Sequence, residues 1–421
     1  MNETYRSVPH MFLQRVARTP DREAYLYPDG DGFTPLTWRQ VGEKVKALAC
    51  GLRALGLKDE ERGAILSSTR LDWILADLAI LSAGGATTTI YPSSTTPDCL
   101  FILKDSAARV LFAENREQAD RIAAQRSDAP DLVAVVVFDG EGTEDGFVLT
   151  KDALMEKGRA WDAANPGRFE AIVEAVRTDA LATLIYTSGT TGLPKGVELT
   201  HDCWLYEAEG IDALKLLHED DRQYLWLPLA HSFGKVLEAA QLRIGFSTAV
   251  DGRVEKIVEN LGKVKPTFVA AVPRIFEKIY NKVVTGAKEA GGAKWAIFSW
   301  AFDVGREVSK LRLAGRPPSG LLALKHRVAH RLVFGKLEAL FGGRLRFFIS
   351  GSAPLNKALG EFFHAAGIVI AEGYGLTETS AATCVNTFEK LRFGTVGHPL
   401  PGTEVRIAED GEILIKGRGV M

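Results

Sequence analysis

Cysteine is scarce in this chain of 421 residues, which contains four widely separated cysteines and no C-x-x-C pair. A disulfide framework therefore has no support, and the sequence favours a reducing cytoplasm as the compartment. His201 and Cys203 have the spacing of two metal ligands, but no second pair completes a zinc site. We therefore expect both residues to be structural.

The chain also lacks an excess of charge of one sign and a long apolar run. Its 51 Lys and Arg residues nearly balance 53 Asp and Glu residues, so we expect no nucleic acid partner. The longest apolar region, Trp73–Gly85, contains Asp77 and is shorter than the roughly 20 residues that a membrane-spanning helix needs. Arg6 and Arg15 interrupt any N-terminal stretch of signal-peptide length. These features predict a cytoplasmic protein.

What the chain does contain is an alternation of helical and strand periodicity. Helical spacing joins six apolar residues between positions 38 and 55, whereas Ala86–Tyr91 is a β-branched run that Pro92 ends. Further strands are predicted at Arg62–Ser67, Leu181–Tyr186, Leu225–Pro228, Thr267–Val272 and Leu345–Ile349, and helices at Leu71–Ala83 and Val254–Leu261. This alternation favours an α/β fold with parallel sheets covered on both faces.

One loop concentrates the groups that bind a polyphosphate. Tyr186–Gly196 reads YTSGTTGLPKG and follows a predicted strand. Its glycines let backbone N–H groups approach anionic oxygens, its hydroxyls donate hydrogen bonds, and Lys195 adds a full charge. The glycine spacing differs from that of the common P-loop. A polar hairpin turn is the alternative interpretation.

This loop resembles the signature loop of the adenylate-forming superfamily, which includes acyl-CoA synthetases, luciferases and peptide-synthetase adenylation domains. The resemblance implies that the loop holds the β- and γ-phosphates of ATP, and that Lys195 is also a catalytic residue. The implied nucleotide-binding residues in this loop are Thr187, Ser188, Gly189, Thr190, Thr191, Gly192 and Lys195.

A second motif, Gly373–Thr379, combines an aromatic ring, flexible backbone, a hydroxyl and a carboxylate. Tyr374 can stack on a base, Thr377 can donate to a phosphate oxygen, and Glu378 can bind Mg²⁺ together with phosphates. The resemblance implies these roles, with Thr377 and Glu378 catalytic, Glu372 contacting the base, and Gly373 and Gly375 in the nucleotide site. A turn with a helix-capping Thr is the alternative.

A third motif, Ser350–Pro354, follows a predicted strand, where ligands bind in open α/β sheets. The resemblance implies that Gly351, Ser352 and Ala353 border the adenine. An ordinary turn at the strand end fits the residues almost as well.

His231 lies in the apolar string LPLAHSFGK. A single histidine in such a setting is more often structural than catalytic. The resemblance places it where an acyl carboxylate meets the adenylate, so we expect a positioning residue. It is not expected to be a general base, because a carboxylate nucleophile is already ionised at neutral pH.

Positive charge concentrates between Arg306 and Arg346, where ten Lys or Arg residues stand against two acids. An amphipathic helical pattern in this region is formed by Leu321, Leu324, Val328, Leu332 and Phe334. The helix could lie on an anionic membrane surface as a peripheral contact, or attract the phosphates of CoA. A solvated basic face over an ordinary core stripe is the simpler interpretation.

The resemblance extends from about Trp38 to Met421 and implies the N-terminal domain of an adenylate-forming enzyme. That domain would have two doubly wound βα subdomains and a small β-rich, barrel-like subdomain. Residues 1–345 would carry the phosphate loop and acyl pocket, and 346–421 the adenine and Mg²⁺ motifs with the β-rich part. The family's C-terminal small domain and its catalytic Lys have no equivalent here, so we expect a fragment that binds nucleotide but turns over poorly.

Val272-Pro-Arg274 before a predicted helix is typical of the branch that activates long-chain and very-long-chain fatty acids. The resemblance therefore implies activation of a fatty acid by ATP and Mg²⁺, with CoA as acyl acceptor. Transfer to a carrier-protein thiol is one alternative hypothesis. A non-catalytic protein that binds nucleotide or lipid is another.

Overall fold

The structure, a computed structural model, describes residues 4–188 and 194–421. The α-helices in these two ranges are α1 Val8–Arg18, α2 Trp38–Ala54, α3 Leu71–Ser82, α4 Thr96–Asp105, α5 Arg116–Ala123, α6 Lys151–Ala164, α7 Arg168–Ala175, α8 His201–Ala213, α9 Ser232–Ile244, α10 Ile257–Val264, α11 Pro273–Glu289, α12 Gly292–Leu313, α13 Gly320–Ala329, α14 Gly335–Leu340 and α15 Lys357–Ala365.

The strands are β1 Glu23–Asp29, β2 Gly32–Thr37, β3 Arg62–Leu66, β4 Ala86–Ile90, β5 Ala108–Asn115, β6 Ala134–Asp139, β7 Val148–Thr150, β8 Leu181–Ser188, β9 Pro194–Thr200, β10 Arg222–Leu225, β11 Ser247–Val250, β12 Phe268–Ala271, β13 Phe347–Ser350, β14 Val369–Tyr374, β15 Cys384–Val385, β16 His398–Pro399, β17 Glu404–Ile407 and β18 Ile413–Lys416. Helices and strands alternate through most of the chain, as the sequence periodicity predicts.

Seven strands form the first sheet in the order β7-β6-β5-β3-β4-β8-β9. Every neighbouring pair is parallel except β8 and β9, which are antiparallel. The central strands are buried on both faces, as the burial of all five residues of β4 illustrates. Helices therefore cover the sheet on both sides, which is the arrangement expected for parallel sheets.

Nine strands form the second sheet in the order β16-β15-β14-β13-β12-β10-β11-β1-β2. Its centre is parallel and its edges are antiparallel. Phe268 of β12 pairs with Phe347 of β13, so the predicted division at residue 345 falls between two adjacent strands of one sheet. The motif-bearing segments after residue 345 extend this sheet rather than begin a separate one.

The strand-rich tail is small within the described residues. β15 and β16 continue the edge of the second sheet, and β17 and β18 form a two-stranded antiparallel hairpin. Ile407, Ile413 and Leu414 of this hairpin are exposed.

Most predicted elements occur within a few residues of their predicted bounds, with two differences. The strand predicted at Leu225–Pro228 is shifted towards the N-terminus. It runs from Arg222 to Leu225, where it pairs with β11, beginning at Arg222 with Ser247. The helix predicted from Val254 opens with a 3₁₀ turn, and α10 proper begins at Ile257. The first difference reflects tertiary strand pairing that local periodicity does not encode.

A helical excursion separates β12 from β13. It contains α11, α12 and α13, followed by a π-helical segment at His330–Phe334 and α14. Phe302 of α12 stacks on Phe362 of α15, with ring centroids 4.3 Å apart. Tyr280 of α11 meets the same ring edge-on, with ring centroids 4.7 Å apart. Aromatic contacts therefore hold α11 and α12 against α15. Across both described ranges, no helix is both long and apolar enough to cross a membrane.

Candidate active site

The carboxyl ends of four strands meet around one cavity of about 360 Å³. β8 of the first sheet contributes Thr187, and β13 and β14 of the second sheet contribute the residues that follow Ile349 and Glu372. The segment after β10 brings His231 to the same place. Ligands bind at such strand ends in open α/β sheets, because loops there are free to supply polar groups.

The cavity gathers residues from four sequence motifs: the predicted phosphate loop, Gly373–Thr379, Ser350–Pro354 and the string around His231. Val272-Pro-Arg274 does not line it. Nine predicted site residues line it, namely Thr187, His231, Gly351, Ser352, Gly373, Tyr374, Gly375, Thr377 and Glu378. Ala353, Glu372 and Lys195 are not among its lining residues. Gly189, Thr190, Thr191 and Gly192, and the side chain of Ser188, lie outside the described residues.

Lys195 is the second residue of β9, the strand that returns from the predicted phosphate loop. Its Cα pairs with that of Thr187 in the antiparallel β8–β9 ladder, and its side chain is exposed. This pairing places the lysine beside Thr187, which lines the cavity.

His231 caps the N-terminus of α9. Its Nδ1 accepts a hydrogen bond from the Phe233 N–H at 3.1 Å, and burial lowers its pKa. The neutral ring is therefore favoured, and a ring whose Nδ1 is an acceptor carries its proton on Nε2. The fold thus gives the cavity a neutral N–H donor. The positioning role of His231 stays a prediction.

Gly351 permits close approach of the β13 loop to α9. A Cβ built there would lie 3.1 Å from the Phe233 ring, so a larger residue would displace that ring from the cavity wall. The next residue, Ser352, has a φ of 66°. Left-handed backbone at a non-glycine residue costs about 1–3 kcal/mol and often marks a functional site.

Glu372 supports the site from behind the cavity wall. Its carboxylate accepts a 2.9 Å hydrogen bond from the Leu355 N–H, and burial raises its pKa. The contact ties β14 to the loop that carries Gly351 and Ser352. In this structure the side chain therefore holds two motifs together, and its predicted contact with the base stays a prediction.

The turn after β14 is tightly constrained. A Cβ at Gly375 would lie 1.5 Å from the Ala381 carbonyl oxygen, which no side chain could tolerate. Ser380 and Ala381 have φ values of 58° and 95°. With Ser352, they make three left-handed non-glycine residues at or beside the cavity. Contacts with the surrounding structure must hold these otherwise unfavourable backbone conformations in place.

Thr377 and Glu378 stand on this turn with different exposure. Thr377 is buried, with its Oγ1 3.5 Å from the Ser232 Oγ, whereas Glu378 is exposed at the cavity mouth. The Glu378 carbonyl accepts a hydrogen bond from the Met421 N–H at 2.9 Å. Ser380 donates to the Gly419 carbonyl at 2.7 Å. Residues 417–421 thus fasten the turn that presents the carboxylate.

The donor set fits a magnesium ion shared with a nucleotide. Mg²⁺ in such sites takes one or two carboxylates and completes its shell with phosphate oxygens and water. Glu378 supplies one exposed carboxylate. Within the described ranges, no group of three or more His, Cys, Asp or Glu side chains could hold a metal by itself. His201 is buried, and its Nδ1 accepts a hydrogen bond from the Val8 N–H at 3.3 Å.

Local sequence motifs did not reveal the apolar wall of the cavity. This wall joins residues from α8, the segment after it, α9 and β15, namely Ile211, Leu214, Leu216, Leu217, Phe233, Val236, Leu237 and Val385. These side chains are far apart in the chain and form no local pattern. Helical spacing of Phe233, Val236 and Leu237 predicts a buried face, but it does not indicate that a ligand lies against it.

Ser350 is a further residue that the site motifs named without a role. Its hydroxyl is buried at the cavity and has no hydrogen-bond partner among the residues described. Buried hydroxyls normally have partners. A polar ligand in the cavity would supply one.

The chain resembles named enzymes along almost its whole length. Residues 12–421 match the AMP-binding enzyme family. The chain is 37% identical to the long-chain-fatty-acid–CoA ligase FadD15 of Mycobacterium bovis, over 98% of its own length and 67% of that protein. It is 29% identical to human long-chain-fatty-acid–CoA ligase ACSBG2, over its full length and 64% of that protein. The chain thus spans about two thirds of these relatives.

Solved structures share the fold at lower sequence identity. The anthranilate CoA ligase AuaEII, solved with anthranoyl-AMP, aligns with a TM-score of 0.72 at 20% identity, covering 99% of this chain and 70% of that one. The N-terminal domain of FACL13 from Mycobacterium tuberculosis aligns with a TM-score of 0.71 at 21% identity, covering 99% and 90%. These likenesses confirm the predicted fold class. The family match over residues 12–421 and the relative at 37% identity establish that the chain belongs to the AMP-binding enzyme family.

Proposed function

We propose that this protein activates a long-chain fatty acid with ATP, forming an acyl-adenylate and then an acyl-CoA. One observation carries the proposal. One cavity is lined both by an apolar wall from α8 and α9 and by residues of the three nucleotide motifs, and His231 lines it as well. The names of the relatives at 37% and 29% identity support a long-chain acyl substrate.

In the first step, a carboxylate oxygen of the fatty acid attacks the α-phosphorus of ATP. The new C–O–P link forms as the bond to the β-phosphate oxygen breaks, and pyrophosphate leaves. In the second step, the CoA thiolate attacks the acyl carbon and AMP leaves. The first step requires no base to ionise the carboxylate, because its pKa lies well below neutral pH. In the second step the thiol proton passes to solvent as the thiolate forms.

The residues of this chain would contribute position and charge. The Nε2–H of His231 would hold the acyl carboxylate for in-line attack, and Thr377 would donate to a phosphate oxygen. Lys195 and the loop at 187–192 would balance charge on the β- and γ-phosphates. Gly351, Ser352, Ala353, Gly373 and Tyr374 would border the adenine, with Tyr374 stacking on it and Glu372 supporting the loop from behind.

Glu378 would hold Mg²⁺, which when bound neutralises phosphate charge and orients the polyphosphate. The carboxylate's exposure at the mouth, and the hydrogen bond that fixes its backbone carbonyl, suit this task. The described ranges are consistent with one protein carboxylate rather than a complete protein cage.

Binding of a hydrolysis-resistant palmitoyl-adenylate analogue, measured by calorimetry, tests the site directly. We expect specific binding that palmitate and ATP each weaken by competition. Palmitate-dependent exchange of pyrophosphate into ATP tests the first chemical step. A protein that neither binds the analogue nor catalyses exchange would not have the proposed function.

Glu378→Gln and Glu389→Gln form a matched pair for the role of magnesium, because both glutamates are exposed but Glu389 does not line the cavity. We expect Glu378→Gln to abolish the Mg²⁺ dependence of ATP binding and Glu389→Gln to preserve it. The acceptor is tested by comparing CoA with a phosphopantetheinylated carrier protein. Preferential loading of the carrier protein would show that the acyl acceptor is a carrier-protein thiol rather than CoA.

A further inference from the structure

Helix α13 and the π-helical segment that follows it present apolar side chains to solvent. Leu321 is 67% exposed, Leu324 54%, and Val328 and Leu332 each 42%. Ala329 is the one buried residue of α13. An isolated exposed leucine is ordinary, but a contiguous apolar strip on a helix signals an interaction surface.

The four exposed residues share one face of a continuous helical segment. α13, the π-helical segment and α14 follow each other without a break from Gly320 to Leu340. Steps of three, four and four residues from Leu321 to Leu332 keep the side chains in line. We call Leu321, Leu324, Val328 and Leu332 the leucine stripe.

Basic side chains flank the leucine stripe. At about 100° per residue, Lys325 and Arg331 project from opposite edges of it. Both are exposed, as are Arg327 and Lys336. None of these four side chains forms an ion pair with any carboxylate that the structure describes. We call these four residues the basic flank.

The charge of this region opposes that of the rest of the chain. Residues 306–346 carry ten cations and two carboxylates, a local charge of +8, whereas the whole chain carries -2. The remaining residues therefore carry a formal charge of -10. An anionic surface would attract the helical excursion and repel the rest, which would orient the protein on that surface.

An apolar groove of about 490 Å³ adjoins the stripe. Leu332 belongs to both, and Ile297, Phe298 and Leu337 continue the groove between α12 and α14. Lys294 and Lys336 also line it. Apolar depth with ammonium groups suits the acyl chain and anionic headgroup of a lipid.

We propose that the leucine stripe and basic flank dock this protein on an anionic phospholipid bilayer. The helix would lie in the plane of the interface, with the stripe in the acyl region and the basic flank among the headgroups. Charge complementarity selects this occupant over a neutral apolar partner. The surface lies outside the proposed active site, so the proposal is independent of the ligase activity.

Vesicle flotation with phosphatidylcholine alone, and with added phosphatidylglycerol, tests the proposal. We expect wild-type protein to bind the anionic vesicles and to release them at high salt. The triple variant Lys325→Ser, Arg327→Ser, Arg331→Ser should bind about 100-fold more weakly, since each basic residue near such a surface contributes about a fivefold gain. The double variant Leu321→Ser, Leu324→Ser should lose at least about tenfold.

A charge-matched control is the triple variant Lys58→Ser, Lys104→Ser, Lys157→Ser, whose lysines are exposed in the part of the chain that carries the first sheet. We expect it to bind like wild type. All substituted residues are exposed, so thermal melting should be unchanged and a fold defect would be recognised. Equal wild-type binding to both vesicle types would overturn the proposal. Equal losses of vesicle binding in the two triple variants would also overturn it. So would a Leu321→Ser, Leu324→Ser variant that binds vesicles like wild type and differs only in its self-association, measured by sedimentation.

Discussion

The Lys235 ammonium of α9 pairs with the Asp77 carboxylate of α3, and both side chains are almost completely buried. Glu238, one turn further along α9, lies 3.2 Å from the same ammonium. Burial alone would lower the pKa of Lys235, but the two carboxylates raise it, whereas burial raises the pKa of Glu238. This cluster anchors the helix whose N-terminus His231 caps.

Removing one partner of this cluster should strongly destabilise the fold. We expect Lys235→Met to lower the free energy of unfolding by about 3–5 kcal/mol, because the Asp77 carboxylate would remain buried without a compensating charge. The triple variant Asp77→Leu, Lys235→Met, Glu238→Leu, which leaves no carboxylate of this cluster unpaired, should recover most of that loss. Guanidinium unfolding measures both. A loss below about 1 kcal/mol for the single variant would contradict the prediction.

Two substitutions at His231 should separate its contribution to stability from its contribution to acyl-adenylate formation. Asn at position 231 can still accept the Phe233 N–H and cap α9, but it lacks the Nε2–H. We expect His231→Asn to keep nearly wild-type stability and to reduce acyl-adenylate formation about 100-fold, as loss of a positioned donor does.

Alanine at position 231 provides the comparison. His231→Ala removes the cap as well, so it should also lower the free energy of unfolding by about 1 kcal/mol. Thermal melting and pyrophosphate exchange distinguish the two effects. Equal pyrophosphate exchange rates for wild type and His231→Asn would show that the Nε2–H does not contribute to acyl-adenylate formation.

Two glycines should respond to alanine in opposite ways. At Gly375 a Cβ would collide with the Ala381 carbonyl oxygen, whereas at Gly262, inside α10, nothing lies within 4 Å. We expect Gly375→Ala to weaken binding of the acyl-adenylate analogue at least about tenfold, because its turn must move. Gly262→Ala should leave binding unchanged and raise stability by about 0.5–1 kcal/mol through helix propensity. Calorimetry of analogue binding and denaturant unfolding, measured on each variant, test these two expectations.

Stability should fall in acid partly through His201. Burial lowers its pKa to about 3, with the charge of Lys235 acting in the same direction. Below about pH 6.5 the unfolded chain binds a proton that the folded chain excludes, so this stability is lost as pH falls from about 6.5 towards 3, by up to about 1.4 kcal/mol per pH unit.

The variant His201→Asn isolates this contribution, because Asn cannot be protonated but can accept the Val8 N–H. Its unfolding free energy should drop less steeply than that of wild type below about pH 6.5 and run parallel to it above about pH 7. Parallel curves throughout the acid range would show that His201 is not the group responsible.

The sequence by itself determined the chemistry of the polar groups. Hydroxyls, glycines and a lysine in Tyr186–Gly196, and a ring and a carboxylate in Gly373–Thr379, are local combinations that indicate a nucleotide site before any fold is known. Periodicity likewise located most helices and strands, because burial of one face repeats every two or about 3.6 residues. Element ends were less certain, as β10 shows, since its bounds depend on pairing with β11.

Only the tertiary structure decided how these groups relate. It brought Thr187, His231, Gly351 and Thr377 to one cavity, and it built the apolar wall from side chains far apart in the chain. It also turned Glu372 towards the Leu355 N–H and left the leucine stripe exposed, although its apolar pattern resembles that of a buried face. The physical reason is that burial, strand pairing and ion pairing join residues distant in sequence. A local pattern shows what a side chain can do, and the packed fold decides what it contacts.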